Sequence, residues 1–90
     1  MHSTLESARA EALFVSSVQP SDQPTADEVR RAVATTLGRW RPAGCAVRVA
    51  AEFGDHPETA VARMTWALTT VRGVYACPSP AAPLFVALAS

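Results

Sequence analysis

Apolar and polar residues along this chain repeat with a period near 3.6, so its elements read as helices. Ala10, Leu13, Phe14 and Val18 follow that spacing, with Leu5 a turn or more upstream. Ser3 and Glu6 frame a capping box, in which the two side chains satisfy each other's backbone N–H groups. A first helix is predicted from about Thr4 to Val18. Pro20 stops it, and Ser21 to Pro24 form a polar linker.

Thr25 and Glu28 frame a second capping box. Val29, Val33, Leu37 and Trp40 then form one continuous helical face. Pro42 is predicted to close that second helix. A third, short helix follows from Ala43 or Gly44 to Phe53, with Cys45, Val49 and Phe53 at every fourth position. Gly54 is placed to end it in a left-handed conformation. A fourth helix is predicted after Asp55-His56-Pro57-Glu58, with Asp55 as N-cap and Pro57 in the first turn, where its missing N–H costs nothing. Val61, Met64, Leu68 and Val71 define its expected buried stripe, and Gly73 its expected end.

The last residues change character. Val74-Tyr75-Ala76 reads as helix extension or short strand. Cys77 to Pro83 carries three prolines, which favour an extended form. Leu84 to Ala89 is an apolar run too short to assign by periodicity. The expected fold is therefore a small all-α domain of four helices over 1–73, with a proline-rich extension over 74–90.

On the fourth helix, Thr59, Ala62, Trp66 and Thr70 fall opposite the expected buried stripe. A large indole left in water calls for cover. Three covers are open: the apolar run of residues 84–89, a second subunit, or a partner protein anchored on the tryptophan. Thr59, Ala62, Trp66 and Thr70 are the candidate partner-binding residues.

Charge narrows the classes. The 90 residues carry eight basic side chains, all arginine, against eight carboxylates, so net charge is zero. A generally basic nucleic-acid binder and an acidic solvating tail are both excluded. No apolar run reaches the roughly 20 residues needed to span a bilayer, so no membrane partner is expected. Glu6, Arg9 and Glu11 interrupt the first fifteen residues, which predicts no signal peptide and a cytoplasmic location. Cys45 and Cys77 are then expected to stay reduced.

Chemistry-bearing constellations are thin. There is no nucleophile elbow, phosphate-binding loop or dinucleotide glycine pattern. Asp55, His56 and Glu58 cluster in sequence, but they read as a turn with an N-cap and a first-turn glutamate. His2, Cys45, His56 and Cys77 lack the paired spacing by which one local turn delivers two zinc ligands. No catalytic residue, metal or cofactor is expected.

The segment Val49-Ala50-Ala51-Glu52-Phe53-Gly54-Asp55-His56-Pro57-Glu58-Thr59-Ala60-Val61 resembles a helix-turn-helix. Ala50 and Gly54 match that motif's alanine and turn glycine, and Val49 and Phe53 its first-helix apolar positions. Its second-helix apolar positions fall on Ala60 and Arg63, one residue before the better-fitting Val61 and Met64. The resemblance covers residues 46–71 and implies a second helix in the DNA major groove. Thr59, Ala62, Arg63 and Trp66 would then face bases, with Arg48 and Arg72 near phosphates. Ala26 to Tyr75 holds seven arginines against five acids, a thin footprint for phosphate. Residues 11–17 and 52–60 also look like a group of small uncharacterised actinobacterial helical proteins, a resemblance running from residue 3 to about 71. It implies a helical protein and supplies no site. The expected function is a non-enzymatic regulatory or adaptor protein acting by protein contact, self-association included. The alternative is a small DNA-binding regulator.

Overall fold

A computed structural model describes residues 4–76. The Ser3 capping box, His2, Cys77 and the whole of 77–90 lie outside the described residues. So does the question of whether 84–89 covers Trp66. Among the described residues the chain is all-helical and has no strand. Helix α1 spans Thr4–Val15, α2 spans Ala26–Asp55 and α3 spans Pro57–Tyr75, with one 3-10 turn at Pro20–Asp22.

Helix α1 ends earlier than its apolar spacing predicts. The Ser16 hydroxyl donates to the Leu13 carbonyl at 2.7 Å, and Val18 N–H donates back to that hydroxyl. A side chain that competes for backbone groups in this way draws the chain out of the helix. Pro20 then opens the 3-10 turn, whose Asp22 carboxylate accepts from Gln19 N–H at 2.9 Å.

Helix α2 begins at the predicted capping box. Glu28 N–H donates to Thr25 Oγ1 at 3.1 Å, and Thr25 N–H donates to Glu28 Oε1 at 2.8 Å. The structure corrects the expectation of four helices to three. The predicted second and third helices are the two halves of α2, one 30-residue element broken at Arg41 (φ 63°, ψ 163°). The cause is Pro42, which lacks an N–H and pushes the residue before it out of the helical region. Helical geometry resumes at once on the far side.

The helix-turn-helix expectation is corrected too. Gly54 and Asp55 are still helical, and His56 alone separates α2 from α3. His56 N–H continues the helical pattern by donating to Glu52 O at 2.7 Å. Pro57 removes His56 from the helical region (φ −140°, ψ 66°) and is itself preset for the first position of α3. No glycine among the described residues has positive φ, so Gly54 forms no left-handed turn. His56, and not Asp55, is the N-cap of α3. Gly73 likewise stays inside α3, which runs on through Val74 to Tyr75.

The core collects Ala10, Ala12, Leu13 and Phe14 from α1, Val29, Val33, Cys45 and Val49 from α2, and Ala60, Ala67 and Val71 from α3. The Phe14 and Phe53 rings stack with centroids 6.0 Å apart, tying α1 to the second half of α2. The buried line of α3 is offset from the expected stripe. Val61 is 56% exposed, Met64 and Leu68 are half-buried, and only Val71 of the four is fully inside. Alanine carries little hydrophobic area, but it lets backbones approach, so Ala60 and Ala67 set the contact line and the larger residues sit on its shoulders.

At the far end of the bundle, Arg72 pairs with Glu6 at 2.9 Å and the Arg9 guanidinium lies 4.0 Å from the Tyr75 ring centre. The start of α1 is thus held to the end of α3.

Candidate functional site

Four carbonyls at the end of any α-helix lack intrahelical partners. Helix α1 has no basic residue in its last turn to meet them. The cation comes from α3 instead. Arg63 Nε donates to Phe14 O at 2.8 Å, and Nη2 donates to Leu13 O at 3.3 Å, Ser16 O at 3.0 Å and Val18 O at 2.8 Å. Nη1 reaches Gln19 Oε1 at 3.4 Å. The planar five-donor fork of arginine suits this convergence in a way a lysine point charge would not. Burial pushes the Arg63 pKa below its ordinary value, and nearby Glu52 works against that. The group remains a cation at neutral pH.

A second arginine cluster sits at the break in α2. The Arg48 guanidinium carbon lies 3.4 Å from the Trp40 ring centre, and that of Arg39 lies 5.0 Å from it. Gly44 stands close to the base of the Trp40 side chain: a Cβ on it would lie 3.3 Å from Trp40 Cβ. Arg39, Arg41 and Arg48 are all exposed, and no ion pair joins any of them to a described carboxylate.

Between that cluster and the α2–α3 junction runs the outer face of the second half of α2. Cys45 and Val49 point into the core. Ala43, Ala46, Val47, Ala50 and Gly54 are all exposed, and Val47 is 70% exposed, the largest value among the described bulky apolar residues. None of the five carries a polar side chain. A surface helix ordinarily puts charged or polar residues on its outer face. Asp55 and Glu58, both exposed, close the other end.

The candidate partner-binding residues share one flank of α3, but not one environment. Thr59 and Ala62 are exposed, Thr70 is half-buried, and Thr59 Oγ1 donates to His56 O at 3.1 Å. Trp66 is half-buried against the core, with the Arg63 guanidinium 5.1 Å from its ring centre. The tryptophan therefore already has cover from its own chain. Of the candidate DNA-contacting residues, Arg63 is spent on α1, Arg72 pairs with Glu6 and Arg48 stacks on Trp40.

Sequence reasoning missed the outer face of α2. Its signal was present as the run Ala43 to Ala51, interrupted only by Arg48 among charged residues. The spacing of Cys45, Val49 and Phe53 drew attention to the inner face and away from it. The role of Arg63 also went unread, although an arginine between Ala60 and Ala67 on a packed helix marks a charge with an internal partner.

A cleft of about 360 Å³ opens between the end of α1 and the second half of α2, lined by Phe14, Ser16, Gln19, Arg48, Glu52 and Arg63. Within it Arg63 bonds the Gln19 side chain and the Ser16 carbonyl. Asp55, His56 and Glu58 line a separate shallow hollow with Pro57 and Thr59. No trio of His, Cys, Asp or Glu among the described residues is grouped to hold a metal. Cys45 is a buried thiol, its pKa raised by burial and by Glu11 against the opposing effect of Arg48. No helix among the described residues is long and apolar enough to cross a membrane. Comparison with protein families, curated proteins and solved structures gave no match.

Proposed function

We propose that this chain is a non-enzymatic regulatory or adaptor protein that works by protein contact, and that the contact surface is the outer face of α2 from Ala43 to Gly54. The observation that carries the reading is Val47, 70% exposed among four exposed alanine and glycine neighbours with no polar side chain between them. Apolar area left contiguous on a small domain marks an interaction surface, whereas scattered single residues such as Leu5 do not. The Thr59, Ala62, Trp66 and Thr70 flank is a secondary contact candidate, since its tryptophan is half spent on the core. The DNA-reading alternative gains nothing from the arginines it needs, because Arg48, Arg63 and Arg72 all engage the protein itself.

The test is a photo-crosslinking side chain placed at position 47 in the full chain within the producing cell, with position 35, exposed on the first half of α2, as control. Discrete covalent adducts at 47 and none at 35 are expected. Equal labelling at both positions, or none at 47, defeats the reading.

A further inference from the structure

The outer face of α2 has unlike ends. Arg39 and Arg41 stand at the break, and Arg48 sits one turn and more inside it, all exposed and without an ion-paired carboxylate among the described residues. Asp55 closes the other end of α2, and Glu58 follows in the first turn of α3, both exposed. Between them lie Ala43, Ala46, Val47, Ala50 and Gly54. The face is thus an apolar strip with a cationic end and an anionic end, about 21 Å apart at 1.5 Å per helical residue.

Such a strip complements itself when turned end for end. The geometry points to a second copy of this chain as its occupant, paired antiparallel about a two-fold axis near Val47 and Ala50. Arg39 and Arg41 of each copy then meet Asp55 and Glu58 of the other. This rests on the reading of the same face as a protein-contact surface and names its partner.

Three physical points favour a second copy over another occupant. A two-fold contact uses the same patch twice, so every favourable pair is made twice. A parallel arrangement would set arginine against arginine and carboxylate against carboxylate, and like charges facing each other reject the wrong register. The alanine and glycine positions allow close backbone approach, which lets a short face bury more of Val47. One helix face about 18 Å long lies at the small end of specific interfaces, so the dimer is a weak and reversible one.

The experiment is sedimentation equilibrium of the full chain over a roughly hundredfold concentration range at low salt, where surface charge pairs are least screened. Wild type is expected to move from one to two copies with rising concentration. Val47→Asp is expected to stay monomeric. Two charge-reversed proteins, Arg39→Glu with Arg41→Glu and Asp55→Arg with Glu58→Arg, are each expected to self-associate at least about tenfold more weakly. Their equimolar mixture is expected to recover the dimer. Circular dichroism and thermal melting check that each variant is folded. Wild type that stays monomeric throughout overturns the inference, as does a mixture no more associated than its components. If wild type is monomeric while position 47 still crosslinks to a different protein, self-pairing falls and the contact reading stands. If position 47 yields no adduct and wild type is monomeric, both fall.

Discussion

Arg63 Nε donates to the carbonyl of Phe14 at 2.8 Å across 49 residues of sequence, so the end of α1 is closed by a side chain from α3. The same guanidinium also takes the Leu13, Ser16 and Val18 carbonyls. Replacing it with methionine keeps the stem and removes every one of those bonds. Arg63→Met is expected to lower unfolding free energy by about 2–3 kcal/mol, because half-buried carbonyls lose charged donors. Arg63→Lys is expected to recover less than half, since an ammonium cannot fan out to several carbonyls. Urea denaturation followed by circular dichroism measures both, and a neutral Arg63→Met would remove this account of how α1 is held.

Arg41 holds φ 63°, ψ 163°, a region that glycine occupies freely and other residues do not. Arg41→Gly is expected to stabilise the fold by about 1 kcal/mol, the relief of strain exceeding the extra flexibility of the unfolded chain. Arg41→Val is expected to destabilise it, because a β-branched side chain fits that backbone worst. A melting-temperature series over the two variants reads the sign directly.

Gly54 separates two pictures of the α2–α3 junction. In a helix-turn-helix it would need positive φ, and Gly54→Ala would destabilise. Here it is helical, and a Cβ on it meets nothing within 4 Å. Gly54→Ala is therefore expected to gain about 0.5 kcal/mol, and Gly38→Ala, in the first half of α2 and equally open, up to about 1 kcal/mol. Gly44→Ala is expected to gain less than Gly38→Ala, because its Cβ would stand 3.3 Å from Trp40 Cβ. Chemical denaturation of the three single variants tests the order.

Cys45 is raised above the ordinary thiol pKa by burial and by Glu11. The folded state therefore favours the neutral thiol. Its contribution to stability is complete below the unfolded-chain value near 9.0 and declines as pH rises through the higher folded value. Wild type is expected to lose stability relative to Cys45→Ala above about pH 9 and to run parallel to it between pH 6 and 8. Native Cys45 should also react with thiol reagents only as fast as the chain opens. Paired pH–denaturation curves for the two proteins decide this.

The all-helical class was legible because helical spacing and punctuation agree. Thr25 and Glu28 make the capping box their sequence predicts, and Pro42 breaks the chain where a proline must. What the pattern misjudged was how much a proline interrupts. Pro42 sits where the second half of α2 can begin immediately, so a predicted helix end became a kink. The α3 stripe was misplaced because hydrophobicity ranks valine, methionine and leucine above alanine, while packing here favours the smallest residues at the closest approach. Val61 lies exposed as a result, and Ala60 is buried beside it. The outer face of α2 escaped notice for a different reason: the spacing of Cys45, Val49 and Phe53 marks the inner face, and the alanines beside them read as part of the same core. Arg63 was unreadable locally, since its partners lie 44 to 50 residues away.

The alanines at positions 10, 12, 60 and 67, each 3% exposed or less, give the interior an uncommon response to substitution. Alanine has no rotamers to freeze on folding, so these sites exact no side-chain entropy and contribute through proximity alone. Trimming them to glycine leaves only a methyl-sized gap each, whereas any enlargement wedges two helix axes apart. Ordinary cores suffer most from losing bulk. At this seam the intolerance runs both ways, because glycine inside a helix forfeits about 1 kcal/mol of helix propensity while any larger residue forces the backbones apart.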